Sequence, residues 1–169
     1  ISIRCDTILD NWDKLDDSLK RDKYVPADGV ILPTFRAVLR KGDTVYDIFS
    51  RVTRYSKIVT DCVYTVNYSS VYVKGINHLY EFSCGELSGW MYRVNGVFPG
   101  YGCSKYVLKG GDVIEWVYTC DLGRDVGGEF GTAPSVENVC VQQKTDTYTF
   151  FYDKIAVVSP PKAAWRRCV

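Results

Sequence analysis

The chain has 169 residues, a length for one domain or a domain with an extension. A chain this size buries about two-thirds of its unfolded surface, so its core needs neither metal nor staples. With 21 Lys+Arg against 20 Asp+Glu the net charge is +1, which excludes nucleic-acid binding by broad phosphate neutralisation. No apolar run approaches the roughly 20 residues of a membrane span. The ISIRC amino terminus also lacks the charged and long apolar parts of a signal peptide.

Ile1, Ile3 and Cys5 alternate with Ser2 and Arg4, the period of a short strand. Residues 10–28 are rich in Asp, Lys and Arg and carry Trp12, Leu15 and Leu19 at helical spacing. They read as short helical turns closed by Pro26 and Asp28-Gly29. A second strand is expected over 30–39, broken by Lys41-Gly42-Asp43. The clearest helix covers 44–56. Thr44 and Asp47 stand at capping-box spacing, and Val45, Ile48, Phe49, Val52 and Tyr55 form one apolar stripe to face a sheet.

From Cys62 onward the β-formers Val63, Val66, Tyr68, Val71, Tyr72 and Val73 predict strands. Trp90, Tyr92 and Val94 then alternate with Met91 and Arg93, and Asn95-Gly96 follows at once. That pair tolerates the positive φ angles of a type I′ turn and predicts a hairpin. Gly110-Gly111-Asp112 opens another strand, with Ile114, Trp116 and Tyr118 on one face. Four glycines between residues 123 and 131 mark a loop, and two β-like runs follow over 136–143 and 148–158. If the helix crosses over the sheet and the last strand lies parallel to the first, the fold is α+β: a β-grasp-like mixed sheet with one packed helix (44–56) and a β-rich C-terminal extension. An antiparallel α+β sandwich is the competing arrangement. The expected domains are 1–131 and the extension 132–169.

Seven cysteines (Cys5, Cys62, Cys84, Cys103, Cys120, Cys140 and Cys168) form no C-x-x-C pair, and His78 is the one histidine. Zinc-ribbon, thioredoxin and Cys/His zinc patterns are therefore not supplied. Wide cysteine spacing beside 13 tyrosines and four tryptophans fits a secreted or surface domain with disulfides, with scattered core thiols as the alternative. In a β-grasp, Cys5 and Cys120 end neighbouring parallel strands, and Cys84 and Cys103 flank the aromatic hairpin. The expected bridges are thus Cys5 with Cys120 and Cys84 with Cys103, and a third would join Cys140 to Cys168.

Catalytic patterns are weak. Any Ser-His or Cys-His mechanism must use His78, in the turn-like Gly75-Ile76-Asn77-His78-Leu79, which holds no nucleophile motif. Gly85-Glu86-Leu87-Ser88-Gly89 has the wrong spacing for a nucleophile elbow and precedes a strand. Asp121, Asp125 and Glu129 recur every four residues and offer oxygens to calcium, although no EF-hand pattern is present. Nothing brings two of Glu81, Glu86 and Glu115 together as an acid–base pair. The expectation is no catalytic residue, no metal and no enzyme activity. The aromatic stretch carries more weight: Trp90, Tyr92, Phe98 and Tyr101 stand among five glycines within 85–102. Part must be core, while aromatics on a rigid loop make a recognition surface.

Within residues 84–127 the sequence becomes specific. Cys84-Gly85, Ser88-Gly89-Trp90-Met91-Tyr92, Val94-Asn95-Gly96, Pro99, Gly102-Cys103, Tyr106, Gly111-Asp112, Glu115-Trp116 and Tyr118-Thr119-Cys120-Asp121-Leu122-Gly123 resemble the domain-of-unknown-function 4430 family, the transcobalamin-like carboxyl-terminal domain. Lys41-Gly42-Asp43-Thr44-Val45 and Gly75-Ile76-Asn77-His78-Leu79-Tyr80-Glu81-Phe82 fit the same family, and the resemblance covers about residues 1–128. It implies a β-grasp-like fold in secreted or cell-wall proteins, especially of Gram-positive gut bacteria. In the animal vitamin-B12 carriers the related domain closes over cobalamin held against a helical barrel, which this chain lacks. By that likeness Trp90, Tyr92, Phe98 and Tyr101 would be the ligand-facing edge. The functional expectation is a non-catalytic extracellular or cell-wall binding or adhesion module. Its partner would be a corrinoid, a glycan, or another domain of the same protein, with cobalamin as the one cofactor in view. The alternative is a structural spacer of a larger bacterial surface protein.

Overall fold

The alternation at the amino terminus gives β1, Ser2–Arg4, with Ile3 fully buried. This computed structural model describes residues 1–66 and 69–128. Tyr68, Glu129, Cys140, Cys168 and the β-like runs 136–143 and 148–158 lie outside the described residues, as does the expected extension. Two 3₁₀ helices follow β1, Asp6–Lys14 and Asp17–Leu19, the first kinked at Asn11. The expected helical turns are therefore present and begin earlier than residue 10.

The second strand is shorter than 30–39. β2 is Val30–Leu32 and pairs antiparallel with β1, Ile3 opposite Leu32. Pro33 has no N–H for the ladder and ends the strand, although Phe35 still exchanges backbone bonds with Ile1 at 2.8 and 2.9 Å. The helix α1, Val45–Tyr55, has the predicted capping box. Thr44 Oγ1 accepts the Asp47 N–H at 3.3 Å, and the Asp47 carboxylate accepts the Thr44 N–H at 2.8 Å. Val45, Ile48, Phe49 and Val52 are buried, whereas Tyr55, at the last turn, is exposed and rests against Phe35.

Two sheets follow. β3 (Thr60–Thr65), β4 (Ser70–Ile76) and β5 (Leu79–Tyr80) form an antiparallel meander. β6 (Gly89–Val94) and β7 (Ile114–Thr119) pair antiparallel, and β7 also pairs parallel with β1, Ile3 opposite Trp116. The four-stranded order is β2-β1-β7-β6, a mixed sheet against which α1 packs with the Phe49 ring 4.5 Å from that of Trp116. That is the β-grasp arrangement of an α+β fold, and the parallel contact removes the antiparallel sandwich. Among the described residues no helix is long and apolar enough to cross a membrane.

Indole and phenol groups join the sheets. Trp90 Nε1 donates to the Leu79 carbonyl at 2.8 Å, and Tyr118 Oη to the Tyr80 carbonyl at 2.7 Å. The Trp90 and Tyr118 rings meet edge to face at 5.2 Å. The Asn95-Gly96 turn has the predicted left-handed geometry, φ 52° and 79°. Its hairpin is nevertheless a single bridge between Val94 and Val97, because the ladder partner of β6 is β7.

The two central tryptophans should respond differently to mutation. Trp116 Nε1 is buried without a hydrogen-bond partner among the described residues, whereas Trp90→Phe would orphan the Leu79 carbonyl. In urea melts Trp90→Phe should cost about 1 kcal/mol more than Trp116→Phe, and Trp90→Ala about 3–5 kcal/mol. Equal losses for the two Phe variants would contradict this account.

Candidate functional site

Strand alternation sorts the four aromatic candidates. Trp90, Tyr92 and Val94 share the face of β6 that meets Tyr118, Trp116 and Ile114. Trp90 is only 3% exposed, so it is core and not a contact residue. Tyr92 is half-buried, its ring 5.6 Å from Trp116. On the other face Arg93 forms a two-point ion pair with Glu115 (2.8 and 3.0 Å), and its guanidinium lies 6.0 Å over the half-buried Phe98 ring. Phe98 thus packs on the Arg93 side, apart from Tyr92. Among the four, a hydrogen bond joins Tyr92 to Tyr101.

Tyr101 is 51% exposed and lies stacked on Tyr106, ring centres 5.7 Å apart and planes 15° apart. Tyr92 Oη donates to the Tyr101 carbonyl at 2.6 Å, fixing the backbone under the exposed ring. Val97 and Val107 are exposed in the same loop. Tyr106 and Val107 were not among the candidates for contact. Their role arises from the loop's path, which no sequence period encodes.

The loop is held at both flanks. The Cys103 and Tyr106 carbonyls accept the N–H groups of Tyr46 (3.1 Å) and Val45 (3.0 Å), and Leu108 N–H donates to the Asp43 carbonyl at 2.9 Å. Donors left free by the first turn of α1 are therefore satisfied by this loop. Gly102 permits the close approach to β4, since a Cβ there would fall 1.8 Å from Ser70 Oγ. Ser104 Oγ then accepts the Val71 N–H at 2.9 Å and meets Ser70 Oγ at 2.9 Å. The Asp43 carboxyl is held below its usual range by the Arg40 N–H and the Arg51 guanidinium.

The other candidates are dispersed. His78 is exposed in the β4–β5 turn, edge-on to Tyr24 at 5.1 Å. Glu81 accepts the Tyr72 phenol, Glu115 pairs with Arg93, and Glu86 is exposed. Asp121 pairs with Arg124 at 2.7 Å, and Asp125 accepts from Thr119 Oγ1 and the Cys120 N–H. Among the described residues no three Asp, Glu, His or Cys side chains gather as a metal site.

Neither expected bridge, Cys5 with Cys120 or Cys84 with Cys103, is formed among the five described cysteines. Cys84 has Cys120 as its cysteine neighbour, and Cys103 has Cys62. Cys5 instead sits where β1 ends, its N–H on the Gly29 carbonyl at 2.7 Å, with Asp6 and Asp28 nearby. Cys84 belongs to the turn before β6, whose end faces the end of β7. The loop after the Asn-Gly turn carries Cys103 away toward β4, where its Sγ meets the Val71 carbonyl at 3.4 Å.

Residues 42–120 match the family model of DUF4430, a domain of unknown function. That segment is similar to the DUF4430 family. No curated protein matches the chain. The matched segment holds α1 and β3 to β7 but stops short of β1 and β2, although β7 pairs with β1. The structural unit around the DUF4430 match therefore extends to the amino-terminal strands.

Tyr101→Ala should leave the melting temperature nearly unchanged, because the ring is half in solvent. Tyr92→Phe, which removes the bond to the Tyr101 carbonyl, should cost about 1 kcal/mol. A large drop for Tyr101→Ala in a thermal melt would move that ring into the core. Alkaline pH offers a second check. Burial pushes the Tyr72, Tyr92 and Tyr118 phenols above their ordinary value and the Cys5 thiol from 9.0 to about 12. Each keeps its proton in the folded state where the unfolded chain has lost it, so the unfolded state binds fewer protons. Stability is full below the ordinary thiol and phenol values and falls as pH rises through the raised ones. Urea midpoints should decline through that window, and a flat profile would contradict the burial.

Proposed function

We propose that this domain is a non-catalytic binding module whose contact surface is the loop rim centred on Tyr101. The supporting observation is the exposed Tyr101 ring, stacked on Tyr106 and fixed from below by Tyr92. A rigid aromatic offers a large apolar face at little entropy cost on binding. Val97 and Val107 extend its apolar character. A flat or apolar ligand face suits such a rim: a corrinoid, a glycan, or the surface of another domain of the same protein. The wide cysteine spacing and aromatic richness suit an extracellular or cell-wall location.

The rim is open, and one open face buries far less of a ligand than a two-domain clamp. Cobalamin should therefore bind the isolated chain weakly or not at all, and a nanomolar constant from titration calorimetry would refute that. The general test screens the chain against cyanocobalamin and a panel of bacterial cell-wall glycans. Any ligand found should lose at least about tenfold in affinity with Tyr101→Ala, while the melting temperature holds. Binding unchanged by that variant would place the contact elsewhere. If no ligand is found and the variant is silent in the parent protein's surface attachment, the domain is a spacer.

A further inference from the structure

Cys84 and Cys120 are separated by β6, the aromatic loop and β7, yet their backbones are pinned side by side. Ser88 Oγ accepts the Cys84 N–H at 3.0 Å and lies 3.0 Å from the Tyr118 hydroxyl oxygen. Leu122 N–H donates to the Leu87 carbonyl at 3.0 Å, and Gly89 stands opposite Thr119 in the ladder. The turn before β6 and the end of β7 thus form one fixed unit.

Both sulfurs lie on the same face of the first 3₁₀ helix. Cys84 Sγ donates to the Asn11 carbonyl at 3.4 Å, and Cys120 Sγ to Thr7 Oγ1 at 3.9 Å. Asn11 and Thr7 stand one turn apart, tied by a 3.0 Å bond from Asn11 Nδ2 to the Thr7 carbonyl. The neighbouring Cys120 thiol and the Lys14 ammonium hold the Cys84 thiol below its ordinary value, while Cys84 and burial raise that of Cys120.

We propose that Cys84 and Cys120 are a disulfide-forming pair, oxidised by exchange with a small-molecule or protein disulfide while the chain folds. Cys84 is fully buried in the finished fold, so the exchange precedes closure of the turn against the 3₁₀ helix. The Cys84 thiolate attacks one sulfur of the oxidant and displaces one thiolate, leaving a mixed disulfide. The Cys120 thiolate then attacks Cys84 Sγ, forms the Sγ–Sγ bond and displaces the second. Two cysteine thiols are oxidised, one oxidant disulfide is reduced to two thiols, and the two cysteine protons end on them. The bridge would lock the two ends of the segment that contains the Tyr101 rim, whichever ligand the rim takes.

The test uses the full chain, reduced, unfolded and refolded with oxidised glutathione, then alkylated and digested without reduction. A linked peptide pair carrying Cys84 and Cys120, converted to two alkylatable thiols by reductant, is the expected result. Reductant should also lower the melting temperature of the wild type, and leave that of the Cys84→Ser/Cys120→Ser double variant unchanged. Peptides linking Cys84 to Cys103 or Cys5 to Cys120 would overturn the proposal. Alkylation of both Cys84 and Cys120 after oxidative refolding would overturn it equally. The wild-type map decides the matter even if the double variant fails to fold.

Discussion

The parallel pairing of β1 with β7 joins residues 2–4 to residues 115–117, across almost the whole described chain. Closing so long a loop has an entropic cost that the pairing alone, three residues long, does not offset. Burial does: Ile3, Trp116 and Phe49 meet under the helix, and β7 becomes a central strand with a neighbour on each side. Once β7 is central, Trp116 and Tyr118 are committed to the interior. Tyr118 then reaches across to Tyr80, and Trp90 to Leu79, so the meander docks on the same core. The segment matched by the family model includes β7 without its partner β1, and is thus one part of a larger cooperative unit.

Features encoded locally were legible in the sequence. The α1 helix carries its start in Thr44 and Asp47 and its buried face in Ile48, Phe49 and Val52, all within three turns. The alternation of Trp90, Tyr92 and Val94 likewise placed their shared face, and Asn95-Gly96 its turn type. Of the features set by distant contacts, the parallel return of the last strand to the first was legible and others were not. The turn at Asn95 is local, but the partner of β6 depends on where β7 returns, so the expected hairpin shrank to one bridge. The path that takes Cys103 to β4 is likewise set by distant contacts, and flanking a loop in sequence does not make two sulfurs neighbours. Phe98 and Tyr101 read alike in sequence, yet opposite faces of β6 receive them.

Rigidity at the rim is a by-product of helix capping. The amino end of α1 needs acceptors for its first N–H groups, and carbonyls of the loop supply two of them. The helix is completed and the loop is fixed by the same bonds. Tyr101 therefore stands exposed on a backbone that helix formation itself holds in place, and little ordering would remain for a ligand to impose.

β1 and β7 also bracket the unit, and they run in the same direction. Tension carried along the polypeptide would pull β1 from its beginning and β7 from its end, sliding the two strands lengthwise past each other. Their inter-strand hydrogen bonds would then bear the load together and not one at a time, as they would if the strands were peeled apart. A protein strung through such a unit meets its greatest mechanical resistance at the seam between its first strand and its last.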